Sequence, residues 1–163
     1  MDKKTAYIVE TSIISYLAAR PSRDLLAAAW QKVTIDWWGM RRERFDLYSS
    51  DIVIEEAGRG DDLAVGRRLE VLAGIPLLAI TDEVVALSEA LIDAKALPPK
   101  AIGDSLHIAP SAVHGVDYLL TWNYRHIDNA ETKPIVRAVC SANGYGYPEI
   151  CTSRELMGVY ENG

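Results

Sequence analysis

Polar side chains that could bind a metal ion or a phosphate recur at four places in the chain. They are Glu10 after the apolar run 6–9, the pair Glu55 and Glu56, Asp104, and Asn123 after the run 118–122. Each lies at the end of a predicted strand or on the first turn of a predicted helix. In an open α/β sheet the carboxyl ends of the strands form the ligand-binding edge. Carboxylates gathered there would repel one another unless a hard divalent cation neutralised them, so the pattern predicts a metal-dependent site for phosphate chemistry.

Alternating strands and helices are predicted to position these residues. Strands are predicted at about 6–10, 45–49, 76–80, 118–122 and 149–151. Periodic apolar residues between them predict helices, including a long amphipathic one from Asp24 to about Arg44 and another over 101–114. The alternation predicts an α/β fold: a three-layer α/β/α sandwich with a central, mainly parallel, roughly five-stranded sheet. No linker interrupts the chain, so residues 1–163 are expected to form a single domain.

Helix boundaries can also be predicted from individual residues. Side chains expected to cap helix N-termini are Thr11 or Ser12, Asp24, Ser50 or Asp51, and Thr81. Pro110 lies inside the predicted 101–114 helix, where it removes a backbone donor, so a kink is expected just past Asp104.

Composition limits the class of protein. The chain has 163 residues, of which 49% are hydrophobic and 25% charged, as is ordinary for a folded globular protein. No apolar run approaches the roughly 18–20 residues that span a bilayer, and the segment 1–5 lacks a signal-peptide cleavage pattern. We therefore expect no membrane association. Cys140 and Cys151 show no disulfide-framework spacing, which favours a reducing cytoplasm.

The net charge of −6 is unusual for a protein that binds nucleic acid, because phosphate binding usually leaves a basic surface. Arginines nevertheless cluster at 41–44 and 67–68, where the simplest interpretation is a solvated helix face. A bound metal ion would supply positive charge locally, so the acidic balance is compatible with a nucleic-acid substrate.

Four segments, taken in order, resemble the successive blocks of a PIN domain. They are Val9-Glu10-Thr11-Ser12, the segment 50–56, Asp104-Ser105-Leu106-His107-Ile108-Ala109, and Leu119-Leu120-Thr121-Trp122-Asn123-Tyr124-Arg125-His126-Ile127. The match runs from about Tyr7 to Leu156 and is most similar to the VapC-type toxins of bacterial toxin–antitoxin modules. The resemblance implies a PIN-like fold and a Mg²⁺- or Mn²⁺-dependent endoribonuclease that hydrolyses RNA phosphodiester bonds. It also implies a dimer and a small antitoxin protein as the inhibitory partner.

The resemblance assigns roles to particular residues. Glu10, Glu56, Asp104 and Asn123 would form the catalytic set, with Glu10 and Asp104 as direct metal ligands. Glu56 matches the second acid better than Glu55 because Ala57 follows it, and Glu55 is the alternative. Glu10 stands where the family has aspartate. Its extra methylene moves the carboxylate outward, so Glu10→Asp is expected to leave activity equal or higher. Thr11 or Ser12 and Thr121 could donate hydrogen bonds at the same edge.

Two functions are compatible with these sequence features. One is a metal-dependent ribonuclease, and the other is a degenerate PIN-fold protein that binds RNA or a protein partner without cleaving. Glu10 and Pro110 both depart from the family pattern close to the site. No Gly-rich phosphate loop and no zinc-ligand spacing is present in the sequence, which argues against an ATPase or a zinc site.

The remaining aromatic and histidine residues have simpler interpretations. Trp37 and Trp38 are consecutive on a helix, about 100° apart, so one core can hardly bury both. This favours a homodimer, and the alternative is that another segment of the same chain covers the second ring. His107 is interpreted as a core or hydrogen-bonding residue, with substrate contact as the alternative, and His126 as a surface loop residue.

Overall fold

The structure is a computed structural model that describes residues 4–8 and 10–158. Val9, part of the predicted first strand, lies outside the described residues, as do residues 1–3 of the N-terminal segment. The described helices are α1 (Glu10–Ala18), α2 (Leu25–Arg41), α3 (Asp51–Ala57), α4 (Asp62–Leu72), α5 (Asp82–Asp93), α6 (Ile102–Val113) and α7 (Lys133–Ala142). The strands are β1 (Lys4–Ile8), β2 (Phe45–Ser50), β3 (Leu77–Leu78), β4 (Tyr118–Leu120) and β5 (Glu149–Cys151). No described helix has both the length and the apolar character to cross a membrane.

The strands pair in short parallel ladders. β1 lies between β2 and β4, with Tyr7 opposite Tyr48 on one side and Leu119 on the other. β4 also pairs with β5 through three residues, and β2 pairs with β3 through two. Across these pairings the strands follow the order β3-β2-β1-β4-β5. The carboxyl ends of β1, β2 and β4 therefore face the same edge.

The predicted three-layer sandwich around a roughly five-stranded central sheet is wrong. The chain is a mostly helical α/β protein, in which seven described helices accompany strands of only two to six residues. The pairing divides into two sheets: β2, β1, β4 and β5 form one, and the two-residue contact of β2 with β3 forms the other.

The segment predicted as a strand over 76–80 explains the difference. Pro76 has no N–H to donate to a ladder, and Leu77 is 45% exposed. The carbonyl of Ala79 is 2.7 Å from Nε2 of the His114 side chain. The chain then turns into α5, which Thr81 caps. The segment therefore contributes two paired residues instead of five.

Two buried apolar clusters hold the helices against the strands. The first contains Leu87 and Leu91 of α5 and Ile108 of α6, and the second contains Ile13 and Ile14 of α1. Leu119 belongs to the first cluster and its neighbour Leu120 to the second. Because successive side chains of a strand point to opposite faces, helices pack on both sides of β4.

Capping residues fix several helix starts. The Asp24, Ser50 and Thr81 side chains accept hydrogen bonds from backbone N–H groups of the first turns of α2, α3 and α5, which confirms those predictions. The cap predicted at Thr11 or Ser12 is wrong. α1 begins at Glu10, whose Oε1 accepts the N–H of Ser12 at 3.1 Å.

Pro110 does not end the helix in which it lies. α6 continues from Ile102 to Val113 with Pro110 buried inside it. The Ser111 hydroxyl one residue later donates to the carbonyl of Ile108 at 2.8 Å. The backbone around Asp104 therefore belongs to one 12-residue helix.

Trp37 and Trp38 are both accommodated within the chain. Trp37 is fully buried against Phe45, with ring centroids 5.6 Å apart. Trp38 packs on the edge of the second cluster, and the guanidinium of Arg42 lies 3.9 Å from its ring centroid. A segment of the same chain covers the second ring, so the tryptophan pair does not itself require a second copy.

Candidate active site

The four predicted positions meet at the edge formed by the carboxyl ends of the strands. Glu10 opens α1 just after β1, and Glu56 lies on α3, which follows β2 without a loop. Asp104 is on the first turn of α6, and Asn123 lies three residues after β4 ends. Because the strands are parallel, the segments that follow their carboxyl ends lie at the same edge.

Glu10 is held in an uncommon backbone conformation. Its φ is +64°, in the left-handed region that few non-glycine residues adopt. Its carboxylate accepts two hydrogen bonds from opposite directions: Oε1 from the N–H of Ser12 at 3.1 Å and Oε2 from the Thr121 hydroxyl at 3.0 Å. Burial raises the pKa of Glu10 above its ordinary 4.5, although these hydrogen bonds and the charge of His107 act against the rise.

Glu56 is paired with a buried histidine. Nε2 of His107 lies 3.1 Å from Oε1 and 3.2 Å from Oε2 of Glu56, and the Thr11 hydroxyl donates to Oε2 at 2.6 Å. The His107 side chain is fully buried, whereas that of Glu56 is 25% exposed. Burial alone would raise the pKa of Glu56, but His107, Thr11 and the charge of Arg59 outweigh it and lower the pKa below 4.5.

Asp104 is paired with a second histidine. Nδ1 of His126 lies 2.7 Å from Oδ2 of Asp104, and both side chains are about one-quarter exposed. Asn123 shapes the turn that brings His126 there, because its Oδ1 accepts the N–H groups of Arg125 at 3.1 Å and His126 at 3.0 Å. Asn123 is therefore a positioning residue in this structure.

A series of hydrogen bonds links Glu10, Asn123 and Asp104. The Thr121 hydroxyl donates to Glu10 and accepts the N–H of Asn123 at 2.9 Å. Asn123 in turn holds the backbone of His126, and His126 contacts Asp104. Glu56 is bonded to Thr11, the residue next to Glu10 in the chain.

The ligand atoms available at the site can be compared with those that the predicted Mg²⁺ or Mn²⁺ ion would need. Carboxylate and amide oxygens are the hard ligands that such ions prefer. Within 4–8 and 10–158, no three Asp, Glu, His or Cys side chains form a group that could hold a metal. Mg²⁺ is often bound by one or two carboxylates with water and substrate phosphate completing its shell. Glu10 and Asp104 fit that smaller role in donor type. Burial disfavours the charged form of the Glu10 carboxyl and raises its pKa, and a bound cation would offset that cost.

The structure separates the two candidates for the second acid. Glu56 bonds to Thr11, the residue next to Glu10, and its Oε1 lies close to Gly103, the neighbour of Asp104. Glu55 points away and forms a surface ion pair with Arg59 at 2.7 Å, with its side chain 65% exposed. Thr11 and Thr121 donate hydrogen bonds at this edge as predicted.

The arginine clusters have structural partners. The Nε of Arg67 donates to the Ala18 carbonyl at 2.9 Å, and the Nε of Arg68 donates to the Ala57 carbonyl at 3.0 Å. Arg41 donates from Nε to the Leu156 carbonyl at 3.1 Å. The interpretation of these side chains as simply solvated helix faces is therefore incomplete, because they tie α1, α3 and the C-terminal segment to their neighbours.

Two histidines of the site were not among the predicted site residues. His107 follows Asp104 by three residues, so both project from one face of α6. This spacing could have identified His107 as a residue of the site. His126 was interpreted as a surface residue, but it follows Asn123 by three residues, a spacing typical of a side-chain-capped turn.

Comparison with protein-family models, with curated proteins and with solved structures finds no match for the chain. The resemblance to PIN domains therefore rests on the four sequence segments, and the chemistry must be argued from the site itself.

Proposed function

We propose that this protein is an endoribonuclease that hydrolyses phosphodiester bonds of RNA at the site of Glu10, Glu56, Asp104 and Asn123. The observation that supports the proposal best is the series of hydrogen bonds that links Glu10, Asn123 and Asp104 at one edge of the strands. Glu56 is bonded to Thr11, the residue next to Glu10 in the chain. The four sequence segments that resemble PIN domains supply the substrate class.

In the proposed reaction, water attacks phosphorus in line with the leaving oxygen. A P–O bond to the water oxygen forms and the P–O ester bond to the leaving ribose oxygen breaks. A carboxylate of the site takes the water proton, and the leaving ribose oxygen takes a proton from solvent. Thr11 and His107 hold Glu56 ionised and in place. His126 holds the Asp104 carboxylate in position. The two histidines act through the acids and are positioning residues.

The proposal includes a Mg²⁺ or Mn²⁺ ion held by Glu10 and Asp104. Such an ion lowers the pKa of a bound water and stabilises charge on the phosphate. It would also offset the repulsion between the acids and the RNA backbone, which a chain with a net charge of −6 otherwise imposes.

The proposed partners, besides RNA, are a second copy of the chain and a small antitoxin protein. The surface that supports them is α2, which leaves Leu25, Leu26, Ile35 and Met40 exposed, Leu25 by 87%. Exposed apolar side chains concentrated on one helix favour an interaction surface. The proposal places the protein in the cytoplasm, where its two free cysteines, Cys140 and Cys151, would stay reduced.

The second candidate is a protein that binds RNA or a protein partner without cleaving. One observation favours it: His107 and His126 already occupy Glu56 and Asp104, and no group of three metal-binding side chains forms in the described part of the chain. Carboxylates paired in this way are also satisfied in the absence of an ion.

A cleavage assay with controlled metal separates the candidates. Purified protein is incubated with end-labelled single-stranded RNA in a chelator, and then with added Mg²⁺ or Mn²⁺. The nuclease predicts cleavage that appears with the ion, disappears in the chelator and falls in Asp104→Asn. RNA that binds the protein but stays intact at every metal concentration supports the second candidate and rejects the first.

A further inference from the structure

A cleft of about 820 Å³ lies beside the candidate site, between α2, the segment after β4 and the segment after β5. We call it the aromatic cleft. Its walls include Trp30, Trp122 and Tyr124, and its polar lining includes Asp128, Lys133 and Arg154. The side chains of these six residues are not among those that bond to the three acids or to Asn123 of the candidate site, although the backbone N–H of Trp122 donates to the Ser12 hydroxyl at 3.0 Å.

The aromatic wall is rigid. Trp30 and Trp122 stack with ring centroids 5.1 Å apart and planes 15° apart. Nε1 of Trp122 donates to the Thr34 hydroxyl at 2.7 Å, and that hydroxyl also donates to the carbonyl of Trp30 at 2.7 Å. The buried Thr34 therefore fixes the indole of Trp122, and the indole of Trp30 stacks on that ring.

Tyr124 presents an open ring on this platform. Its ring centroid is 5.5 Å from that of Trp30, tilted by 57°, and the residue is 43% exposed. An exposed aromatic side chain held against a fixed indole pair offers a face on which a planar ring can stack.

The polar groups of the cleft form an acceptor and a donor side by side. Nζ of Lys133 lies 2.6 Å from Oδ1 of Asp128, and the Asp128 side chain is only 7% exposed. An ammonium carries three N–H donors, and a carboxylate two acceptor oxygens. The pair can therefore accept from N–H groups and donate to a carbonyl oxygen of the same ring. Guanine presents two N–H donors, N1–H and N2–H₂, beside its O6 carbonyl, whereas uracil presents a single N–H beside a carbonyl.

The cleft also adjoins the candidate site along the chain. Trp122 and Tyr124 flank Asn123, whose side chain positions His126 against Asp104. A nucleotide next to the scissile bond could place its base in the cleft while its phosphate stays at the site. Exposed Arg154 at the cleft lining supplies a cation for the nucleotide's own phosphate.

We propose that the aromatic cleft binds an unpaired guanine base, stacked on Tyr124 and recognised by Asp128 and Lys133. The inference rests on the proposed function only in taking RNA as the source of that base. Binding of guanine in the aromatic cleft would make the candidate site selective for guanine.

Binding of guanosine 5′-monophosphate tests the proposal without any cleavage step. Tryptophan fluorescence is followed during titration with this nucleotide and, separately, with the adenosine, cytidine and uridine 5′-monophosphates. We expect saturable quenching by the guanosine nucleotide, with an affinity at least roughly tenfold higher than for the other three. No binding, or equal binding of all four, overturns the proposal.

Matched variants locate the site of binding. Tyr124→Leu removes the stacking face and should weaken binding roughly tenfold or more, whereas Tyr124→Phe keeps the ring and should bind like the parent. Lys133→Met should abolish the preference for guanine. Circular dichroism confirms that each variant is folded. If Tyr124→Leu binds as the parent does, the cleft is not the binding site.

The outcomes distinguish this inference from the proposed function. RNA cleavage without guanosine monophosphate binding leaves the nuclease in place and rejects the cleft. Nucleotide binding without RNA cleavage retains the cleft as a guanine site and rejects the nuclease.

Discussion

Nε2 of His107 contacts both carboxylate oxygens of Glu56, at 3.1 and 3.2 Å, from a position with no solvent exposure. The carboxylate itself is one-quarter exposed and faces the edge where the other acids lie. A buried ring therefore sets the position and the charge of an accessible acid. In the described part of the chain, the other ring nitrogen, Nδ1, is buried without a hydrogen-bond partner, so Glu56 is the interaction that orients the ring.

A double-mutant cycle should show that Glu56 and His107 act as a pair. Glu56→Ala and His107→Ala should each lower the free energy of unfolding by about 1–3 kcal/mol, because each leaves a partly buried polar partner unsatisfied. The double variant should be less destabilised than the sum of the two, by about 0.5–3 kcal/mol. Urea unfolding provides the measurement. Glu55→Ala is the control, and its exposed pair with Arg59 should contribute less than about 1 kcal/mol. Strict additivity of the two variants would contradict the pairing.

Glu10→Gln should stabilise the protein at neutral pH. The pKa of Glu10 is raised above 4.5 by burial, so the folded state binds this proton more tightly than the unfolded state does. Its stabilising contribution is complete below about pH 4.5 and is lost as pH rises through the folded-state pKa. At pH 7 the parent therefore contains an unfavourable buried charge that Gln removes. In the presence of a chelator, the thermal midpoint of Glu10→Gln should be higher than that of the parent at about pH 7. The two midpoints should converge as the pH falls toward about 4.

Glu56→Gln should show the opposite dependence and serves as the matched control. The pKa of Glu56 is lowered, so its contribution is present above about pH 4.5 and is lost as pH falls through the folded-state value. The variant should be less stable than the parent at pH 7, and the difference should shrink in acid. Identical pH profiles for the two Gln variants would show that the two carboxyls occupy equivalent environments, contrary to the structure.

Glu10→Asp should lower activity, which reverses the expectation from the sequence. Both carboxylate oxygens of Glu10 are used, one by Ser12 and one by Thr121 across 111 residues of sequence. A side chain one methylene shorter cannot keep both contacts. We expect a loss of about fivefold to tenfold in kcat/KM, the effect of about one hydrogen bond. Thr121→Val should cause a similar loss. Higher activity in Glu10→Asp would show that the sequence-based expectation was right.

Asp104→Asn should reduce RNA cleavage at saturating Mn²⁺ by about tenfold to a hundredfold, as loss of a metal-shell interaction does. If Asp104 faced only other carboxylates, as the sequence pattern indicated, the same change would raise stability by relieving repulsion. In the structure Asp104 contacts His126 at 2.7 Å, so its neighbour is a histidine and not another carboxylate. No rise in the thermal midpoint of Asp104→Asn is therefore expected without metal. Parental cleavage by Asp104→Asn would exclude this residue from the site.

Local signals in the sequence predicted much of the structure. Asp24, Ser50 and Thr81 cap helices because their side chains bond to the N–H groups of the first turn, an interaction that depends only on neighbouring residues. Glu56 was preferred over Glu55, and in the structure Glu56 pairs with the buried His107 while Glu55 forms an exposed ion pair. Because the strands are parallel, the segments that follow β1, β2 and β4 lie on the same side of the sheet.

Features that depend on distant residues were not predictable in the same way. The third strand is shortened by the contact between Ala79 and His114, which are 35 residues apart. Trp38 is covered by Arg42 of the same chain, so its position next to Trp37 does not by itself require a second copy. His107 and His126 became site residues only through partners 51 and 22 residues away.

If the proposed site is right, Glu56 takes part in the cleavage of RNA and Glu55 does not. The most direct measurement compares cleavage of single-stranded RNA by Glu56→Gln and Glu55→Gln, the same substitution one residue apart, at saturating Mn²⁺. Glu56→Gln should lose roughly tenfold or more in kcat/KM, while Glu55→Gln, altered only at an exposed ion pair, should match the parent. Equal activities of the two variants, or a loss confined to Glu55→Gln, would contradict the proposed site.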